Sequence, residues 1–209
     1  MVKTKFFTEN IGKTEKWIEQ FLVQGYRLKR VDAAWGSFRF EKLPEGEKGR
    51  QVKMDYRTFQ KQTDFNDYVA LFEDSGWKHI GGTKSSGMQY FERKDEEAEV
   101  DIFSDTISKA ERYKRISHKW LGLAAAYFPL LVALYCTGIV NLSNLTNWKS
   151  LYLTPGLWEE TGTEFLGKFL FETPFAIMRG LGGGLMLLLV ILYFFFGLKA
   201  LYWYYKEKK

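Results

Sequence analysis

The side chains able to do covalent or metal chemistry are few and scattered along the 209 residues, which include 2 His and 1 Cys. His79 lies in a short strand-like stretch and His118 in a basic run, neither with a Cys or His at metal-ligand spacing, so no metal centre is predicted. The run Gly81-Gly82-Thr83-Lys84-Ser85 has the composition of a phosphate loop. It lacks the Gly-x-x-x-x-Gly-Lys order and leads into a strand pattern instead of a helix, so a hairpin turn is expected there. Asp55, Asp64 and Asp67 would serve as general acids or bases, but expected surface positions assign them to capping and solvation. The expectation is a non-enzymatic chain without a cofactor.

Two uncharged apolar stretches, residues 120–140 and 180–198, dominate the second half. About 20 apolar residues rising about 1.5 Å each match a hydrocarbon core of about 30 Å, so both read as transmembrane helices. The second would extend to residue 205 if Lys199 snorkels along its apolar stem. The first ten residues lack the apolar core of a signal peptide, so the preceding part is expected to stay on the side where it is made. Cys136 falls inside the first span and has no partner for an intrachain disulfide.

The sequence pI near 9.1 suggests nucleic acid until the charges are located. Residues 1–108 carry 18 Lys+Arg against 19 Asp+Glu, whereas residues 109–119 carry five against one and residues 199–209 four against one. Basic charge therefore concentrates beside the two spans. Arg112, Lys114, Arg115 and Lys119, with Lys206, Lys208 and Lys209, form a collar that would attract anionic lipid headgroups. By the positive-inside rule this places the head and both termini in the cytoplasm of an inner-membrane protein, with residues 141–179 outside. Nucleic acid is not expected as a partner.

The soluble head reads as a duplication. At an offset of 51, residues 17–42 align with residues 68–93 without a gap, pairing Phe21 with Phe72, Gly25 with Gly76, Gly36 with Gly87, Phe40 with Phe91 and Glu41 with Glu92. Each copy, about 3–42 and 52–93, has the pattern strand, helix, strand, strand. Trp17, Ile18, Phe21 and Leu22 share one face at helical spacing, and Tyr68, Val69, Leu71 and Phe72 repeat them. Gly25 and Gly76 then stop the helices. Two such β-α-β-β units predict an α+β, ferredoxin-like domain over residues 1–103, an antiparallel sheet with helices on one face. Most of the aromatic side chains are assigned to its core. Trp35, Phe38 and Tyr90 are the candidates for an interaction surface on the open sheet face.

Residues 104–119 form the expected connecting helix, with Ser104 or Asp105 as N-cap and Ile107, Ala110, Tyr113, Ile116 and Trp120 along one stripe. It would either tether the head or couple its movement to the membrane. Pro129 is expected to kink the first span. The spacing of Gly180 and Gly184 permits close helix packing, within the chain or between copies of a homo-oligomer. In the outer loop, residues 157–171 carry Trp158, Phe165 and Phe169 among glutamates, the pattern of an amphipathic helix lying on the membrane surface. Span two covers residues 180–205 and leaves a basic tail, 206–209.

The runs Lys16-Trp17-Ile18-Glu19, Gly25-Tyr26, Phe38-Arg39-Phe40-Glu41-Lys42, Phe72-Glu73-Asp74-Ser75-Gly76-Trp77, Tyr90-Phe91-Glu92-Arg93-Lys94, Ile102-Phe103-Ser104-Asp105 and Tyr113-Lys114-Arg115-Ile116 resemble domain-of-unknown-function family 2812. The resemblance covers about residues 3–116. It implies a Gram-positive bacterial membrane protein, often encoded beside a PadR-like repressor, and offers no catalytic residues. The functional expectation is a membrane protein whose cytoplasmic domain binds a protein partner or ligand in response to envelope stress or antimicrobial compounds. The competing expectation, from a different class, is a subunit of an oligomeric channel or transporter.

Overall fold

The computed structural model describes residues 1–5, 10–32, 36–95, 97–138, 140 and 147–209. The chain is α+β and divides into two compact units, residues 1–118 with 198–209, and residues 119–197.

In the first unit, β1 (Val2–Thr4), α1 (Ile11–Val23), β2 (Tyr26–Asp32) and β3 (Ser37–Lys42) are followed by β4 (Val52–Tyr56), α2 (Gln62–Asp74), β5 (Trp77–Gly81) and β6 (Met88–Arg93). The strands form two antiparallel three-stranded sheets, ordered β1-β3-β2 and β4-β6-β5. The expected single shared sheet is therefore not formed. β2 and β5 lie side by side, but each is bulged, between Leu28 and Arg30 and between His79 and Gly81, and these irregular edges do not continue into a common ladder. Both helices stop where the backbone turns left-handed, at Gly25 (φ 80°) and Gly76 (φ 82°), a conformation glycine adopts without the Cβ penalty. At α1 the Asn10 side chain accepts from Lys13 N, capping the first turn.

Aromatic residues fill the interior as expected. Trp17 meets Phe21 and Phe38 edge-on, each at 5.1 Å, and Tyr68, Trp77 and Phe91 form the core of the second half. Contacts between an aromatic pair and within an ion pair help to join the halves. Phe38 lies 5.9 Å from Tyr90, ring to ring, and Arg27 on β2 donates twice to the buried Glu92 carboxylate on β6, at 2.8 and 2.7 Å. The bidentate geometry is the strong form of a charge-assisted hydrogen bond.

Among the described residues two helices are long and apolar enough to cross a membrane, α3 (Thr106–Cys136) and α4 (Gly162–Lys208). In the second unit they form an antiparallel hairpin. Trp120 packs on Tyr193 and Phe196, Tyr127 on Tyr193, Phe128 on Phe194, and Leu131, Val140 and Val190 form a small core. Close approach depends on glycine: a Cβ at Gly197 would meet Leu121 at 2.6 Å, and one at Gly183 would meet Val140 at 2.9 Å. Helix α3 continues through Pro129.

The outer-loop expectation needs correction. Residues 157–171 are not a separate surface helix: Leu157–Glu159 is a 3-10 turn, and α4 begins at Gly162 and continues through Pro174 to Lys208. A single proline removes one backbone hydrogen bond and does not by itself end a helix.

Candidate functional site

β4 is an edge strand, paired on one side with β6, in the register Met54 to Tyr90 and Tyr56 to Met88. Its free edge would expose unpaired backbone groups, an invitation to aggregation unless covered. Side chains cover it. The Glu15 carboxylate, from α1, accepts from Met54 N at 3.0 Å; Arg112 Nη1 donates to Met54 O at 2.8 Å; Arg115 Nε donates to Tyr56 O at 2.6 Å. The Asp55 side chain accepts from Tyr56 N at 2.7 Å.

The same side chains form ion pairs. Arg112 Nη1 donates to Glu15 Oε1 at 2.9 Å, and Arg115 Nη2 to Asp55 Oδ1 at 2.7 Å. Asp55 also accepts from the Tyr68 hydroxyl at 2.8 Å; burial first, and the adjacent carboxylate second, push that hydroxyl's pKa up. Arg112 lies over the rings of Phe103 and Tyr113, and its Nη2 is 3.8 Å from Glu207. Beside it, Lys109 donates to Asp101 at 2.6 Å. Burial raises the Asp101 carboxyl, but the Lys109 hydrogen bond and the charges of Lys53 and Lys109 outweigh it and hold the group below its ordinary value. The first turns of α3 are thus fastened to the head. Gly12 N donates to the Tyr113 hydroxyl at 3.3 Å, and Ala110, Tyr113, Ile116 and Ser117 are buried.

Glu15 has a second exposure. It lines, with Glu19, Leu22, Val23, Lys48 and Lys53, an open depression of about 170 Å³ between α1 and β4. A ligand in this depression would lie beside Glu15, whose carboxylate holds Arg112. Among the described residues no group of three His, Cys, Asp or Glu converges to hold a metal ion.

Several expected positions are placed differently. Phe38 and Tyr90 are buried, 3% and 4% exposed, facing each other inside the head, so they do not form an open sheet face; Trp35 lies outside the described residues. Asp55 is a buried ion-pair partner, not a solvated surface acid. Within the collar, Arg112 is 1% exposed and Arg115 is committed to Asp55 and Tyr56, which removes both from the lipid-facing set. Lys114 stays half-exposed beside Glu111 and over Tyr204, while Lys119, Lys206, Lys208 and Lys209 are exposed.

Trp158, Phe165 and Phe169 join Trp148 and Tyr152 in one aromatic cluster, with Tyr152 stacked on Phe169 at 5.1 Å. That face of α4 is engaged within the chain. Gly180 receives Leu151 of the same chain, and Gly184 is half-buried. Sequence reasoning missed Glu15, Asp55 and Glu92 as anchors; the available signal was an acid standing on an otherwise inward-facing strand position, as at Asp55 and Glu92.

A family model described as a protein of unknown function, DUF2812, matches residues 10–125. No curated protein and no solved structure matches the chain.

Proposed function

We propose that this chain, which belongs to the DUF2812 family, is a non-enzymatic membrane protein whose head binds a partner or ligand at the α1–β4 depression. Its bound state passes to the membrane helices through Glu15 and Arg112. The observation that carries this reading is the double role of Glu15, which lines the depression and also pairs with a buried arginine of a helix running unbroken to Cys136. Changing the field or position of that carboxylate alters what holds α3, a local electrostatic event acting on a packed element. The head and both termini lie in the cytoplasm in this proposal, with Lys119, Lys206, Lys208 and Lys209 at an anionic leaflet. The setting is a response to envelope stress or antimicrobial compounds, as the family's association with repressors suggests.

The test is photo-crosslinking in cells from Glu19, Val23 and Lys48, combined with hydrogen exchange of residues 106–118 in lipid nanodiscs. The expected result is a specific adduct at these positions, and exchange in residues 106–118 that changes on addition of the captured species in wild type but not in Glu15→Gln. Absence of any adduct at three positions shown to react with a soluble probe overturns the reading.

A further inference from the structure

We propose that the cleft where the linker into β4 passes the exit of β6 is an anion site that takes the linked phosphate groups of a small molecule, a diphosphate in the simplest case. Lys48, Arg50, Arg93 and Lys94 line it with a single carboxylate, Asp95, so it holds four cations against one acid in about 270 Å³. The cleft adjoins the α1–β4 depression across Lys48, but Arg50, Arg93 and Lys94 line no part of the depression. The site does not rest on the role of Glu15.

The topology of the head gathers these charges. β4 and β6 run antiparallel with Val52 opposite Glu92, and Arg93 N donates to Gln51 O at 2.9 Å, so the residues just before β4 stand beside those that leave β6. Both segments are fastened. Gly49 N donates to Leu22 O at 3.0 Å, and a Cβ at Gly49 would meet Leu22 Cα at 2.9 Å, while Lys94 N donates to Gly76 O at 2.8 Å. Arg93 is half-buried, and its Nη2 donates to Ala98 O. The cations therefore project from backbone that is already ordered, which lowers the entropic cost of closing them round a ligand.

The head answers its inward-facing cations one by one, Arg27 with Glu92, Lys53 with Asp101, Arg112 with Glu15 and Arg115 with Asp55. In the cleft it does not. Lys48, Arg50 and Lys94 make no ion pair among the described residues. Asp95 turns its Oδ2 toward Gly76, where a Cβ would meet that oxygen at 3.2 Å. Residues 1–108 carry 18 Lys+Arg against 19 Asp+Glu, so the excess of cations is local and not a consequence of composition. Like charges gathered in this way repel one another, and a cleft lined by one sign raises the local concentration of the opposite ion. Linked phosphates match the cleft well. They present several charged oxygens close together, the planar fork of Arg50 can take two of them, and the lysines add point charges. The volume lies just under the range of about 300 to 1,000 Å³ for drug-sized ligands, which suits a small anion.

The experiment is titration calorimetry of the full-length protein in phosphatidylcholine nanodiscs, in magnesium-free buffer at about 0.15 M salt, where exposed charges more than about 8 Å apart are largely screened. Inorganic pyrophosphate is expected to bind about tenfold more tightly than orthophosphate or sulfate, and Arg50→Gln and Lys94→Gln each to weaken it about fivefold or more. Lys84→Gln, which removes an exposed cation elsewhere in the head, keeps wild-type affinity. Arg50 and Lys94 are exposed and unpaired, so neither substitution lowers the melting temperature of the ligand-free protein, and lost binding is not lost folding. Repeating the titration in discs that also contain phosphatidylglycerol identifies the source of the phosphate: unchanged affinity marks a soluble compound, and a tenfold loss marks a lipid phosphate seated in the cleft. Absence of pyrophosphate binding, equal affinity for the three anions, or a loss in Lys84→Gln equal to that in Arg50→Gln overturns the proposal.

Discussion

Arg112 Nη1 lies 2.9 Å from Glu15 Oε1, with the arginine side chain 1% exposed and the glutamate 11%. A buried pair adds little over an apolar replacement of the same shape, but removal of one partner strands the other. Arg112→Met leaves Met54 O without its donor and the Glu15 charge without its cation. The head should lose about 3 kcal/mol, roughly 10 °C in melting temperature for a domain of this size. Glu15→Gln keeps an acceptor for Met54 N and should cost about half as much. Thermal unfolding of both variants in detergent checks the order; a Glu15→Gln cost close to zero would show that the carboxylate charge is not what holds the arginine.

The Asp55 carboxylate is satisfied from three directions, by Tyr56 N, the Tyr68 hydroxyl and Arg115. Tyr68→Phe removes one of these and leaves the ring in the aromatic core with Phe59, Phe72 and Phe91. Its expected cost is about 1.5 to 3 kcal/mol, the scale for a lost hydrogen bond to a charged group. Asp55→Asn should cost more, because Arg115 then faces a neutral amide. Chemical denaturation of the two variants decides between them.

The order of strands and helices in the head was legible because its signals are local. Gly25 and Gly76 end α1 and α2 at the expected positions, and the irregularities at Leu28/Arg30 and His79/Gly81 fall at corresponding places in the two strands. The destination of the basic residues was not legible. Arg112 and Arg115 beside an apolar span have the linear pattern of a lipid collar, and only the fold brings Glu15, 97 residues away, and Asp55, 60 residues away, against them. The open sheet face failed for a related reason. Alternation along β3 and β6 distinguishes two faces of a strand, but it does not say that a second sheet will turn Phe38 and Tyr90 toward each other.

His79 gives the head a pH dependence of defined sign. Gln89 donates through its amide nitrogen to the carbonyls of Arg57 and Thr83, so its oxygen faces His79 Nε2 at 3.0 Å and the imidazole donates from that nitrogen. Burial is the main cause that holds the His79 pKa below its ordinary value. The unfolded chain therefore takes up a proton near pH 6.5 before the folded one does, and stability is lost as pH falls from about 6.5 through the lowered folded value. Unfolding midpoints measured from pH 8 to 5 should decline below about 6.5 in wild type and be flatter in His79→Gln. The Asp101 contribution is separated in range: its lowered carboxyl adds stability above about pH 3.8 that disappears only on further acidification.

In the hairpin, two glycines of the same helix should respond oppositely to an added methyl group. A Cβ at Gly197 would stand 2.6 Å from Leu121 Cδ2 and 3.3 Å from the Leu121 backbone nitrogen, so relief requires movement of α3 as well as a rotamer change. Overpacking of this kind costs about 1 to 3 kcal/mol. At Gly182 the added carbon meets nothing in the chain, so Gly182→Ala should leave the hairpin intact or slightly firmer through better helix propensity. Measured in lipid by steric trapping or by thermal aggregation, Gly197→Ala should weaken the α3–α4 pairing and Gly182→Ala should not. If the two variants behave alike, the antiparallel contact of Leu121 with Gly197 is not what fixes the hairpin register.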